Sequence, residues 1–171
     1  MTRILSVDDE PTILKLLGVS LELAGYEHSC TTDGHQALRI LRHEQIDLLT
    51  QDIMRPKMDG WELYRLMKSD AELRHIPVLF ISAGARADRM EACRANDDDY
   101  LTKPFSPQEL LTAVTTLLRR RGKPVPGAAE RAVRYAQIRA KWLSAMNWTE
   151  QQLDSLYQRI GNLLTGMSQS G

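Results

Sequence analysis

The sequence contains little cysteine and no long apolar run. Only two of its 171 residues are cysteine, Cys30 and Cys93. Two cysteines are too few for a disulfide framework, and their spacing is not that of a metal site, so we expect a reducing, cytoplasmic environment. No stretch approaches the roughly 18 apolar residues of a membrane span. Acidic residues occur by Asp8, before the core of a signal peptide could form. We therefore expect no membrane contact.

The sequence also lacks an excess of charge of either sign, since it has 22 basic and 22 acidic residues. A zero sum argues against binding nucleic acid or anionic membranes through bulk charge. The balance is nevertheless uneven along the chain. Residues 1–121 carry three more acidic than basic residues, and residues 122–171 carry three more basic than acidic ones. A local basic surface in the C-terminal region therefore remains open.

Short apolar runs alternate with helical patterns through the first 121 residues. Continuous apolar runs are typical of strands buried on both faces, and strict alternation with helices predicts a parallel sheet covered on both sides. The predicted fold class is therefore α/β. The strands are predicted at residues 4–7, 27–31, 46–49, 78–81 and 99–102, and the helices at 13–21, 37–41, 61–68, 86–95 and 107–121.

The last fifty residues have a different pattern. Residues 122–127 hold two prolines and two glycines, which predicts the end of the last helix and a linker. Beyond the linker, apolar residues recur at spacings of three and four, which predicts two amphipathic helices joined at Asn147 and Trp148. We thus divide the chain into a domain over 1–121, a linker over 122–127, an α-helical hairpin over 128–167 and a disordered tail over 168–171.

Polar side chains follow four of the five predicted strands. Asp8 and Asp9 follow the first, Asp52 the third, Ser82 the fourth and Lys103 the fifth. In an open parallel sheet, ligand sites lie outside the carboxyl ends of the strands, so these side chains should converge. Three carboxylates at one edge repel each other and need a cation. Oxygen ligands in a partly open site favour Mg²⁺.

This combination is suited to phosphoryl transfer. That reaction needs a positioned nucleophile, a divalent metal and donors for the phosphoryl oxygens. Asp52 is the predicted nucleophile, with Asp8 and Asp9 on the metal and with Ser82 and Lys103 as the donors.

The order of these motifs resembles the receiver domain of two-component response regulators, over residues 1 to about 121. The resemblance implies a flavodoxin-like (βα)5 doubly wound parallel sheet with strand order 2-1-3-4-5, followed here by the C-terminal α-helical hairpin. The matching segments are Val-Asp-Asp-Glu-Pro (7–11), Asp-Ile-Met-Arg-Pro-Lys-Met-Asp-Gly (52–60), Phe-Ile-Ser-Ala (80–83) and Asp-Tyr-Leu-Thr-Lys-Pro-Phe (99–105).

The resemblance also implies a phosphoacceptor and its metal. Asp52 would take a phosphoryl group from a histidine kinase or histidine phosphotransfer protein, so the chain would be a signalling protein and not an enzyme. Asp9 would bind Mg²⁺ directly, Asp8 would assist, and Asp52 with the backbone carbonyl of Met54 would complete the protein ligands.

Three further roles are implied near the last two strands. Ser82 would be the hydroxyl switch, Lys103 the lysine that binds the phosphoryl group, and Tyr100 an aromatic switch that swings inward on activation. The Lys103–Pro104 bond would be cis, a form that is accessible mainly before proline.

Each residue also has a plainer interpretation. Asp8 and Asp9 could simply cap the first helix, Asp52 could be a solvated turn residue, and Tyr100 a half-buried strand residue. Only their combination with Ser82 and Lys103 favours the phosphorylation site.

Charged residues near the last predicted helices have two interpretations. Residues 97–99 are three aspartates that are expected to be solvated. Alternatively, Asp98 could pair with Arg89 and Arg119 across a homodimer formed through the fourth and fifth helices and the fifth strand. The four histidines, His28 among them, are expected at the surface.

Three functions compete. The leading one is a phosphorylation-switched module whose helical extension changes its protein contacts, by dimerisation or by docking onto another protein. The second is a compact DNA-binding transcription regulator that uses the basic C-terminal helices, disfavoured because about 45 residues follow the linker. The third, a Mg²⁺-dependent phosphatase, usually has an Asp-x-Asp signature, whereas Asp8 and Asp9 are adjacent.

Overall fold

A computed structural model of the chain describes residues 1–56, 58–83, 98–127, 129–133, 136–137, 149 and 151. The predicted helix at 86–95, most of the predicted hairpin and the tail at 168–171 lie outside these residues. The strands defined in the described part are β1 (Arg3–Val7), β2 (Glu27–Thr31), β3 (Leu48–Gln51), β4 (Val78–Ser82) and β5 (Asp99–Thr102). The longer helices defined there are α1 (Pro11–Leu23), α2 (Gly34–His43), α3 (Gly60–Ser69) and α4 (Pro107–Arg120), the last being the fifth predicted helix.

The five strands form one parallel sheet in the order β2-β1-β3-β4-β5. The predicted α/β class and strand order are therefore confirmed. The predicted third strand, at 46–49, was two residues too early. Thr50 and Gln51 belong to β3 and are fully buried although they are polar. The apolar run therefore ends before the strand does.

The sheet has an apolar core on each face. On one face, Leu5, Val7 and Phe80 pack with residues of α2 and α3. On the other, Ile4 and Leu48 pack with residues of α1 and α4. Fully burying such a side chain contributes about 1.5–3 kcal/mol, which explains why the central strands are continuously apolar. In the described part of the chain, no helix is long and apolar enough to cross a bilayer.

Local sequence explains where the helices begin and end. Asp33 caps α2 by accepting two backbone N–H groups of its first turn, and Asp59 caps α3 by accepting one. Ser106 and Glu109 form a capping box at the start of α4. Helix α4 ends at Arg120 and is followed by Gly122, whose φ of +63° is a conformation that glycine adopts readily.

The segment that follows α4 lies against the body of the domain. The hydroxyl of Thr2 donates a hydrogen bond of 2.6 Å to the carbonyl of Pro124. The Lys123 ammonium lies 3.1 Å from the Asp47 carboxylate, and Val125 packs on the core beside α1. Residues 123–126 are thus held in place by contacts with the amino-terminal end of the sheet.

Asp98 corrects one prediction. It is fully buried and accepts hydrogen bonds from the Tyr64 hydroxyl and the Val78 amide, both at 2.8 Å. The Lys68 ammonium lies 2.9 Å from its carboxylate. Asp98 is therefore neither solvated nor free to pair with Arg119 across a dimer. A run of three aspartates conceals this burial, because Asp98 directly precedes β5 and its side chain turns inward.

His28 corrects a second prediction, that the four histidines lie at the surface. Its Nε2 lies 2.9 Å from the Ser6 hydroxyl, which also accepts a hydrogen bond of 2.8 Å from the Thr50 hydroxyl. Burial lowers the pKa of His28 to about 4. Helix α1 covers the ring at Gly18, where a Cβ would lie 3.1 Å from Nδ1. The histidine thus belongs to a polar chain across three strands and not to the open surface.

Candidate functional site

The carboxyl edge of the sheet brings the predicted site residues together. Asp8 directly follows β1, and Asp52 directly follows β3. The Asp52 amide donates to the carbonyl of Val7 at 3.0 Å, and the Lys103 amide donates to that of Ser82 at 3.0 Å. These bonds extend the backbone ladder beyond the strands and hold the side chains in register. The Lys103–Pro104 peptide bond is cis, as the resemblance implied.

Lys103 is the cation at the centre of this edge. Its ammonium lies 2.9 Å from a carboxylate oxygen of Asp8, 2.9 Å from one of Asp52 and 3.4 Å from one of Glu10. Asp8 and Asp52 are almost wholly buried, whereas Glu10 is largely exposed. One ammonium therefore serves three carboxylates, two of which have little access to water.

The three carboxylates fit a divalent cation. Oxygen atoms of Asp8, Glu10 and Asp52 lie within 4.8 Å of one another. Carboxylate oxygens are the ligands that Mg²⁺ prefers. Asp9, a predicted ligand, is exposed and is not a member of this group. Sequence reasoning missed Glu10, which follows two aspartates and gave no separate signal.

Burial and charge have opposite effects in this cluster. Burial raises the pKa of Asp8, although hydrogen bonding by Lys103 acts in the opposite direction. For Lys103, burial alone would lower the pKa, but hydrogen bonds and charges from Asp52 and Asp8 raise it above its ordinary value. Lys103 therefore stays charged, and the site still has more negative charge than one ammonium neutralises.

The loop after Asp52 fixes this carboxylate. One oxygen of Asp52 accepts the Met54 amide at 3.0 Å, while the other faces Lys103. The Gly60 amide donates to the carbonyl of Ile53 at 3.0 Å. A Cβ at Gly60 would overlap the Asp52 carbonyl oxygen, so glycine is needed for this close approach. In the sequence, Gly60 was identified only as the last residue of the matching segment 52–60.

Arg55 is a second buried cation that sequence reasoning missed. It is 7% exposed, and its Nε donates to the Asp52 carbonyl at 3.1 Å. Its Nη2 lies 3.5 Å from the side-chain oxygen of Gln51. Its Nη1 and the Gln51 Nε2 are buried, and neither has a hydrogen-bond partner within the residues that the structure describes. Burial lowers the pKa of Arg55, with the carboxylates of Asp52 and Asp8 opposing the shift. The polar Gln51 at the end of an apolar strand was the available signal.

The two predicted switch residues lie side by side. Ser82 is fully buried, and among the described residues its hydroxyl has no hydrogen-bond partner. Tyr100 is half-buried, packs against the core beside α3, and its hydroxyl lies 3.5 Å from the Ser82 carbonyl. Their arrangement gives Ser82 a free donor at the edge where Asp52 lies.

Comparison with known proteins agrees with this geometry. Residues 4–115 match the response regulator receiver domain family. The chain is similar to the DNA-binding dual master transcriptional regulator RpaA of Synechocystis, with 39% identity over 76% of this chain and 54% of that protein. It is also similar to the phosphate regulon transcriptional regulatory protein PhoB of Pseudomonas aeruginosa, with 38% identity over 74% and 55%. The chain thus spans about half the length of these curated relatives.

Solved structures are also similar to this chain. Chemotaxis protein CheY4 of Vibrio cholerae has a TM-score of 0.64 and 27% identity, covering 69% of this chain and 99% of that one. The receiver domain of a sensor histidine kinase of Pseudomonas aeruginosa, solved with a magnesium ion coordinated in its active-site cleft, has a TM-score of 0.60 and 29% identity. It covers 71% of this chain and 98% of that one.

Proposed function

The chain belongs to the response regulator receiver family, and from this premise we propose that Asp52 accepts a phosphoryl group in a Mg²⁺-dependent reaction. The donor would be a histidine kinase or a histidine phosphotransfer protein. The observation that carries the proposal is the Lys103 ammonium, 2.9 Å from both Asp8 and Asp52. This geometry supports a nucleophile and a phosphoryl-binding cation held side by side.

In the proposed reaction, a carboxylate oxygen of Asp52 attacks the phosphorus of a phosphohistidine. The P–N bond breaks as the O–P bond forms, and the leaving imidazole takes up a proton. Lys103 holds Asp52 before transfer and then donates to a phosphoryl oxygen. The Met54 amide keeps the second oxygen of Asp52 oriented. Mg²⁺ would be held by Asp8, Asp9, Asp52 and the Met54 carbonyl, with Glu10 as a further candidate, and would neutralise charge on the phosphoryl oxygens.

The response to phosphorylation is assigned to Ser82 and Tyr100. The Ser82 hydroxyl, which lacks a hydrogen-bond partner in the described part of the chain, would donate to the new phosphoryl group. Movement at Ser82 would disturb the contact of its carbonyl with the Tyr100 hydroxyl. The resulting surface change would alter protein contacts, through a homodimer or through the helical extension. Support for this step is the adjacency of the two residues and the free hydroxyl.

The test is phosphorylation of the full chain by a small phosphodonor in the presence of Mg²⁺, followed by intact-mass measurement. We expect one acid-labile phosphoryl group on the unaltered chain and none on Asp52→Asn. Asp59→Asn is the matched control, because Asp59 is exposed, lies in the same loop and caps α3, a role that asparagine also fills. Equal labelling of the unaltered chain and Asp52→Asn would reject the assignment.

The second candidate is DNA binding. Two relatives are named as transcriptional regulators, one of them as DNA-binding, and residues 122–171 have a basic excess. The names of these relatives favour DNA binding. The full chain, with and without phosphodonor, would be titrated with DNA at two salt concentrations. Binding that weakens steeply with salt supports this candidate; its absence in both states rejects it.

A further inference from the structure

An open apolar groove of about 990 Å³ lies between α1 and α4. Leu16, Leu23 and Leu111 are among its lining residues, and Leu16 is 37% exposed. Most of its lining is apolar, and the Ser20 hydroxyl is already occupied, since it donates to the Leu16 carbonyl at 2.8 Å. The groove therefore offers mainly apolar contact, which suits an apolar helix face better than a polar ligand.

The C-terminal extension starts at the edge of this groove. Val125, Pro126 and Arg131 line one side of it. Pro126 is buried, and a Cβ built on Gly25 would lie 2.9 Å from its ring. Residues 129–133 are helical, and Val133 is 54% exposed. An uncovered apolar residue of the extension thus lies close in sequence to residues that line the groove.

The extension contains an apolar segment that can return to this place. The two helices predicted at 128–146 and 149–167 would each span about 28 Å, at about 1.5 Å per residue. Because their lengths are equal, an antiparallel return brings residues 160–167 back to the level of residue 129. The segment lies outside the described residues, and its apolar positions at helical spacing are Leu153, Leu156, Tyr157, Ile160, Leu163, Leu164 and Met167.

We propose that residues 153–167 dock as an amphipathic helix in the groove between α1 and α4 of their own chain. An amphipathic helix laid into an apolar groove is a recurrent mode of recognition. A two-helix hairpin alone buries too little surface to be stable. The tether through residues 123–126 also keeps the segment at a high effective concentration near the groove. Docking would bury the apolar groove between α1 and α4 and the apolar side of the segment against each other, away from water.

The test is hydrogen–deuterium exchange of the full chain, read by mass spectrometry. In the unaltered chain, amides of residues 153–167 are expected to be protected. Leu16→Asp should increase their exchange rate about tenfold, because it places a charge in the groove. Leu66→Asp is the matched control, since Leu66 is 40% exposed on α3. It should leave exchange in the segment unchanged.

A reciprocal variant covers the case in which Leu16→Asp perturbs the fold. Ile160→Asp in the full chain should increase exchange of α1 amides beside the groove and leave those of α3 unchanged. Mass in solution identifies the occupant. A monomer throughout supports docking within one chain, whereas a dimer that Leu16→Asp dissociates would mean that a second copy fills the groove and would overturn the proposal. Fast exchange of residues 153–167 in the unaltered chain would overturn it as well.

Discussion

Two buried acidic regions lie at opposite ends of the sheet, and they differ in how their charge is satisfied. Asp98 lies at the amino end of β5 beside Val78, the first residue of β4. It is fully buried, and it receives hydrogen bonds from Tyr64 and Val78 and an ion pair from Lys68. Its carboxylate thus has a donor for each oxygen and a cation at 2.9 Å.

At the carboxyl edge, by contrast, Asp8, Glu10 and Asp52 share the ammonium of Lys103, and Arg55 is the second cation near them. Three carboxylates thus exceed two cations. Burial there raises the pKa of Asp8. Burial alone therefore does not distinguish the carboxylate proposed to react from a structural one. The two regions differ in their unneutralised charge, and the excess at the carboxyl edge is what would favour binding of a metal ion there.

The largest expected effect is on stability at Asp98. Asp98→Ala should lower the free energy of unfolding by about 3 kcal/mol, because it removes the buried carboxylate that accepts from Tyr64 and Val78 and pairs with Lys68. Unfolding in urea at pH 7 measures this change. Asp52→Asn should lower stability by less than about 0.5 kcal/mol, since it removes one of three crowded carboxylates. If Asp98→Ala and Asp52→Asn lower the free energy of unfolding equally, the proposed difference between the two acidic regions is wrong.

The next effect is stabilisation by Mg²⁺. At ten times its dissociation constant, Mg²⁺ should raise the free energy of unfolding by about 1.4 kcal/mol. Asp8→Asn should reduce this gain, because it removes a ligand, and Asp98→Asn should leave it unchanged. Urea unfolding with and without Mg²⁺ gives the values. An equal gain in the unaltered chain and in Asp8→Asn would show that the ion binds elsewhere.

The carboxylates at the carboxyl edge should also affect how the free energy of unfolding depends on pH in the absence of metal. The folded-state pKa of Asp8 is raised above its ordinary 3.8. At pH values between the pKa of Asp8 in the unfolded chain and its pKa in the folded chain, the folded state therefore binds more protons. The contribution of Asp8 to stability is present below pH 3.8 and is lost as the pH rises through its folded-state pKa. The stability difference between the unaltered chain and Asp8→Asn, measured from pH 3.5 upward, should follow this sign, and the opposite slope would contradict it.

The smallest expected effect concerns Arg55. Arg55→Met removes a positive charge near Asp52 and Asp8, and should therefore increase Mg²⁺ affinity about threefold. Arg55→Lys retains the charge and should change the affinity little. Titration with Mg²⁺, followed by tryptophan fluorescence, measures both variants. If both variants change the Mg²⁺ affinity equally, the cause is loss of the hydrogen bond to the Asp52 carbonyl and not loss of the charge.

The sequence predicted the parts of the site that backbone topology determines. Asp52 and Lys103 each follow a strand, and parallel strands end at the same edge, so their convergence needed no side-chain detail. Arg55 and Gly60 were missed because their roles depend on how the loop after β3 folds back on itself. Asp98 was assigned wrongly because its burial depends on donors from β4 and α3, far away in sequence.

The central claim is that the carboxylate at the under-neutralised edge is the phosphoacceptor. The most direct test treats the phosphorylated full chain with borohydride, which reduces an acyl phosphate to an alcohol, and then locates the reduced residue by tandem mass spectrometry. The account predicts reduction at Asp52 alone. Reduction at Asp8, Asp9 or Asp59, or at no residue, would contradict it.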